Sequence, residues 1–451
     1  MVVGSMERLQ IIHFARMASI LAVLALTGVP QAFAQCDCCN ACCGNRLCDG
    51  CAAECGFCGE SLWTRQHLTG ALWGIRPSLA QQGIVANLQL TQFYQGVAGG
   101  GANQKFRYGG KLDYNFTFLG EPLGLNKGFT ALLHAETRFG EDVILDAAGL
   151  APVNANMPYP SLDNTTAITG LQFLQALNEE WALTFGKINT LDLFQTLYPQ
   201  TGRGVDGFMN ASAFLPLTVT RTIPLSFLGA GVLKMREGQI QGGLLVYDSH
   251  NSTTTSGFED LFDNGANIAG LWRFFTEFGG LPGSHLFLGT WASGKFTALD
   301  PLDWSFIPGV GIIPSQETGS WSLLYILEQK LWVDPCNEQR SIGLLSQWGL
   351  ADPETCPYEW VCNVSLQGQG LIARREQDTM GVAYFYSGLS GDFKDLLAPA
   401  LPLDDLQGVE FYYNAAITPW FDLTADLQFV EPADSAADTA IVFGLRGKMD
   451  F

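Results

Sequence analysis

Thr439-Ala-Ile-Val-Phe-Gly-Leu-Arg-Gly-Lys-Met-Asp-Phe451 decides how this chain is read. From Ile441 onward the odd positions are Ile441, Phe443, Leu445, Gly447, Met449 and Phe451. The even positions are Val442, Gly444, Arg446, Lys448 and Asp450. One face is apolar and the other carries charge, with the period of two that a strand imposes on its side chains. A tilted strand of about ten residues crosses a bilayer, and a closed barrel needs an apolar outer face while its lumen is free to be polar.

Other segments repeat the pattern. Leu112, Tyr114, Phe116 and Phe118 alternate with Lys111, Asp113, Asn115 and Thr117. Leu133, Ala135, Thr137 and Phe139 alternate with His134, Glu136 and Arg138. Val409, Phe411, Tyr413, Ala415 and Ile417 alternate with Glu410, Tyr412, Asn414 and Thr418. Leu423, Ala425, Leu427 and Phe429 alternate with Thr424, Asp426 and Gln428. A soluble sandwich shows similar alternation. Two features favour the membrane version: the outward sets are apolar or aromatic, and the chain begins with an export signal. Trp181, Tyr325, Trp332, Trp348 and Trp420 suit interfacial girdles.

The export signal has a basic start in Arg8 and Arg16, a short apolar run over 17–29, and a small-x-small cleavage pattern at Ala32-Phe33-Ala34. Four parts are expected: a signal peptide over 1–34, a Cys-rich periplasmic segment over 35–60, a helical lead-in over 61–82, and a barrel over 83–451. No other stretch approaches the roughly 18 consecutive apolar residues of a helical span. Yet the chain is 47% hydrophobic and only 15% charged, with 51 Gly. A barrel explains this, because its apolar face needs no continuous run. At roughly 20 to 25 residues per strand and connection, residues 83–451 allow about 14 to 18 strands. The net charge of −20 argues against a nucleic-acid partner.

Cysteine usage is uneven. Cys36, Cys38, Cys39, Cys42, Cys43, Cys48, Cys51, Cys55 and Cys58 crowd the start, and Cys336, Cys356 and Cys362 lie far downstream. In an exported protein such density points to disulfides. Paired C-x-x-C units also suit zinc, although the spacer between Cys51 and Cys55 is short for a zinc ribbon. The downstream three are expected in one surface loop closed by a bridge. His67, His134, His250 and His285 show no metal-ligand spacing, and no nucleophile motif is present. The reading therefore assigns no catalytic residue, no metal and no cofactor.

Leu68-Thr-Gly-Ala-Leu-Trp-Gly-Ile-Arg-Pro-Ser-Leu-Ala-Gln-Gln-Gly-Ile84 resembles the lead-in motif of the carbohydrate-selective porins, the OprB family. It departs from that motif at Ala71, Leu72 and Trp73. Leu183-Thr-Phe-Gly-Lys-Ile188, Val409-Glu-Phe-Tyr-Tyr413, Leu427-Gln-Phe-Val-Glu-Pro432 and Val442–Phe451 are similar too. The terminal Phe also looks like that of a closing outer-membrane strand. The resemblance implies an all-β transmembrane barrel of about 16 antiparallel strands in the bacterial outer membrane. It further implies passive diffusion of carbohydrates and similar small solutes, with lipid and small sugars as partners. The Cys cluster lies outside this pattern.

A sugar pore needs side chains that replace lost water and still release the solute. Polar residues on inward faces are the candidates to line the lumen: Lys111, Asp113, His134, Glu136, Arg138, Glu410, Asp426, Gln428 and Arg446. The competing reading is a structural or envelope-anchoring barrel with an occluded lumen.

Overall fold

The computed structural model describes residues 61–158, 164–309 and 311–451. The expected signal peptide over 1–34 and the Cys-rich segment over 35–60, with its nine Cys, lie outside the described residues. Period-two alternation becomes strand throughout. β1 (Ile84–Gly99), β2 (Phe106–Leu119), β3 (Phe129–Gly140), β4 (Thr166–Ala176) and β5 (Trp181–Asn189) come first. β6 (Ser226–Arg236), β7 (Gln239–Asp248), β8 (Ala266–Phe278) and β9 (Leu281–Thr297) follow. β10 (Ser305–Ile307) and β11 (Gly311–Ile313) form a separate hairpin in a loop. β12 (Gln316–Asp334), β13 (Asn337–Ala351), β14 (Tyr358–Gln369), β15 (Thr379–Leu389), β16 (Leu406–Thr418), β17 (Phe421–Glu431) and β18 (Ala440–Asp450) complete the set.

Sixteen of these strands close one antiparallel barrel, with β1 hydrogen-bonded to β18. Closure leaves no free edge, which is what lets strands cross a bilayer. No helix among the described residues is long and apolar enough to cross a membrane. On β18, Phe443 is 38% exposed to the outside while Val442 is 0% exposed. The wall shows the same contrast elsewhere, with Phe185, Phe287, Leu323, Trp348 and Phe411 outward and exposed. Trp181 and Trp332 stand at the end of the barrel that carries the short turns. Trp420 lies there too, in the β16–β17 turn, and its Nε1–H donates to the Leu62 carbonyl at 2.7 Å. Tyr325 and Trp348 instead face each other in mid-wall.

The lead-in holds a helix as expected, α1 (Ile75–Gln81), and it is tied to the barrel rim. The Leu68 N–H donates to the Asp450 carbonyl at 2.8 Å, and Arg76 donates to the carbonyls of Ala86 and Phe451.

The interior is not a single water-lined surface. Strand β5 has nine residues, the fewest of any barrel strand, and the chain leaves the wall at its end. The segment 190–225 then folds inward as α2 (Thr190–Leu197), single-turn pieces, and α3 (Ala211–Phe214). α2 starts where the Asn189 side chain accepts the N–H groups of Leu191 and Asp192. Its residues Leu193, Phe194 and Leu197 pack on inward apolar residues of β6–β9, β12 and β13, among them Leu233, Leu286, Leu324 and Ile326. Each such apolar side chain contributes up to about 2 kcal/mol by leaving water. A second apolar cluster joins Phe208, Phe214 and Val153 of the inward loops to Phe385, Tyr412 and Val442 of the wall. The remaining sector, on β2 and β3, is charged.

Candidate permeation site

Two walls meet where the loop crosses the lumen. On β2 and β3, Lys111, Asp113, His134, Glu136 and Arg138 all point inward, and none is more than 4% exposed. Lys111 Nζ lies 3.2 Å from Asp113 and 3.8 Å from Glu136, and Arg138 Nη2 lies 3.2 Å from Glu136. His134 Nε2 lies 3.0 Å from Asp113, and its Nδ1 lies 2.7 Å from Asp192 on α2. Asp192 also accepts from Arg203 Nη1 at 2.8 Å. Loop and wall are thus joined through His134. Every acid of this cluster has a basic partner and every base an acidic one. Donor atoms of Asp113, His134 and Glu136 lie within 4.8 Å of one another, but Lys111 and Arg138 already meet their charge.

Arg203 owes its position to unusual backbone. Gly202, Arg203 and Gly204 have φ of 54°, 51° and 74°, a left-handed run in which Arg203 is the one residue with a Cβ. Such a conformation costs an L-residue about 1–2 kcal/mol and persists only where surroundings impose it. Here Arg446 Nη1 donates to the carbonyls of Gly204 at 2.9 Å and Gly207 at 3.0 Å.

The other predicted site residues perform the same kind of work. Glu410 accepts the backbone N–H groups of Met209 and Asn210. Gln428 accepts from the Asn210 side chain at 3.0 Å and donates to the Val153 carbonyl at 3.0 Å and to Asp426 at 2.8 Å. These four residues face inward, yet the loop covers them. Their first contacts are loop backbone rather than a water path, apart from Asp426, which meets Gln428. Similar anchors recur around the wall: Arg273 to the Leu197 carbonyl, Asn267 to Thr222, Gln347 to Phe214 and Asn363 to Ser212. An inward loop must satisfy its backbone groups inside the barrel, and wall side chains do so.

Between α2 and the wall of β1–β5 lies a cavity of about 470 Å³ on the short-turn side of the cluster. Its lining includes Asn87, Gln89, Asn115, Thr117, Gln172, Gln195 and Thr196 alongside His134, Asp192 and Arg203. Of the predicted residues, only His134 reaches it. Asn115 and Thr117 fall on a face that alternation marks as inward. Asp192, Arg203 and Gln195 sit on a loop whose inward course has no local signature.

The downstream cysteines do not share a loop, which corrects that expectation. Cys336 is exposed in the β12–β13 turn, Cys356 is buried in the connection from β13 to β14 at the opposite end, and Cys362 lies on β14. All three are free thiols. Cys362 pairs across the sheet with outward-facing Trp348, whereas Cys356 packs inside with its Sγ 3.8 Å from the Thr218 carbonyl. The stretch that looked like a loop contains two strands.

No curated protein sequence matches the chain. The high-pH structure of Pseudomonas putida OprB superposes with a TM-score of 0.74 at 18% identity, covering 87% of this chain and 100% of that one. The low-pH structure of the same protein gives 0.56 at 13%, covering 86% and 99%. At such identities these likenesses bear on the fold alone. The family model described as "Carbohydrate-selective porin, OprB family" matches residues 103–451. With that match running over most of its length, the chain belongs to the carbohydrate-selective porin family and is a bacterial outer-membrane channel for sugar diffusion.

Proposed function

We propose that solutes pass this porin beside the charged cluster, through the space between α2 and the β1–β5 wall that the His134–Asp192–Arg203 contact borders. The observation that carries this reading is the pairing of charge there. Lys111, Asp113, His134, Glu136, Arg138, Asp192 and Arg203 are bonded to one another. A passage whose charges are compensated offers a neutral, hydroxyl-rich solute hydrogen-bonding partners without a strong field that favours small ions. The apolar packing of α2 against β6–β9, β12 and β13 supports a narrow passage on one side of the lumen rather than a wide central one. In this reading Glu410, Asp426, Gln428 and Arg446 set the width of the passage by holding the loop, and they do not bind solute.

The protein acts as a passive channel without catalysis. Liposomes carrying the purified protein should swell in isotonic neutral monosaccharides faster than in amino acids of similar size. Proteoliposomes that admit no sugar would overturn the reading in favour of an occluded structural barrel.

A further inference from the structure

We infer that the cavity on the short-turn side of the charged cluster is a saturable subsite for a neutral mono- or disaccharide, held by carboxamides. The inference rests on the passage proposed above and adds a resting place to it. The lining carries five carboxamides that are not used up by the fold: Asn87, Gln89, Asn115, Gln172 and Gln195. Asn87, Asn115 and Gln195 make no side-chain hydrogen bond among the described residues. Gln89 donates its Nε2 to Asp450 at 2.8 Å, which leaves its Oε1 without a partner. Gln172 donates its Nε2 to Thr184 at 2.8 Å and keeps its carbonyl oxygen.

A carboxamide presents donors and an acceptor on one group, as a sugar hydroxyl does, so each can meet a hydroxyl in either sense. The charged groups at the rim are engaged elsewhere. Asp192 is held by Arg203 and His134, and Lys187 donates to the Thr255 carbonyl at 2.7 Å. What the cavity offers a solute is therefore mainly uncharged hydrogen bonding, which holds weakly enough to release. Its volume of about 470 Å³ falls within the range of roughly 300–1,000 Å³ seen for small-molecule sites. The two sides of the cup come from different elements. Asn87, Gln89, Asn115 and Gln172 stand on β1, β2 and β4, while Gln195 projects from α2, whose opposite face is fixed to the apolar wall.

The test uses full-length protein in planar bilayers, with maltose added to the side of the short turns and ion current recorded. Maltose should reduce the current in a saturable manner. Asn87→Leu with Asn115→Leu should raise the half-blocking concentration by about tenfold, as loss of two modest hydrogen bonds predicts. Gln195→Leu, on the helix rather than the wall, should raise it in the same direction and guards against a barrel that fails to assemble. Block that never saturates, or half-blocking concentrations unchanged in both variants, would overturn the subsite. If those results came with normal sugar-driven liposome swelling, the passage would stand without the subsite. If wild-type liposomes did not swell in sugar, both would fall.

Discussion

Arg446, on the strand that closes the barrel, donates its guanidinium to the carbonyl of Gly204 at 2.9 Å, one residue beyond Arg203. The wall residue that fixes the loop and the loop residue at the passage are therefore neighbours through a single peptide. Arg446→Ala should release the left-handed turn. Charge-assisted hydrogen bonds of this kind are each worth about 1.5–3 kcal/mol. Single-channel conductance should rise and discrimination between mono- and trisaccharides should fall. Unchanged conductance would show that Glu410 and Gln428 hold the loop without it.

Arg203→Ala removes one of the two partners of Asp192 and leaves His134 as the other. The passage gains uncompensated negative charge. Reversal potentials in a potassium chloride gradient should move toward cation preference, and the shift should shrink at high salt as screening grows. A shift toward anions would contradict the placement of Asp192 beside the path.

Phe443 and Val442 are adjacent in sequence and face opposite ways. Phe443→Arg should destabilise the inserted barrel by about 2–4 kcal/mol if the site lies at the bilayer midplane, and by less nearer an interface. Urea unfolding from lipid vesicles, followed by tryptophan fluorescence, gives the measurement. A variant as stable as wild type would mean that this face is not against lipid.

Asp405, in the β15–β16 loop, accepts from Lys394 Nζ at 2.6 Å, from the Tyr386 hydroxyl at 2.6 Å and from the Leu389 N–H at 2.9 Å. Burial alone would raise its pKa, but these three donors together bring it below the usual carboxylate range. The charged form is the one the fold binds. Its stabilisation is therefore complete above the ordinary Asp pKa of about 4 and is lost as pH falls below that value. Hydrogen exchange over residues 389–405, corrected for intrinsic rates, should be flat from pH 7 to about 5 and rise below about 4. A rise confined to neutral pH would assign the loop's stability to another group.

Of the three downstream thiols, Cys336 is exposed, Cys356 buried and Cys362 directed to the outer wall. A water-soluble maleimide applied to membrane-embedded protein should modify Cys336 and spare the other two, as read by peptide mass spectrometry. Modification of Cys356 without unfolding would mean that the loop over it opens.

The strands were legible wherever one face is apolar and the other polar. The alternations at Lys111–Phe118, Ala131–Phe139 and Ile441–Phe451 translate directly into β2, β3 and β18. Alternation fails on β12, where Leu323 and Tyr325 face outward while Leu324 and Ile326 face inward against the loop. Both faces are apolar there, so period two carries no signal. The site was half legible for a related reason. Inward direction is a local property of a strand, and all nine predicted residues do face inward. Whether water or a folded-in loop covers them depends on contacts between residues some two hundred positions apart, such as Glu410 with Asn210. The course of 190–225 leaves only a short strand, an Asn cap and a Gly-Arg-Gly run in the sequence, and none of these points inward by itself.

Arg76 meets the carbonyl of Phe451 across 375 positions of sequence, and Leu68 meets that of Asp450. Those acceptors stand in place only after β18 has zipped onto β1. Bringing together ends so far apart is the slow, entropically opposed step of building a ring, whereas neighbouring hairpins form early. Until then β1 and β18 are raw edges, ready to pair with any other strand. The lead-in therefore docks last, onto a rim that exists only in a finished ring. Its docking acts as a clasp over the seam, and an undocked lead-in marks a barrel that has not yet closed.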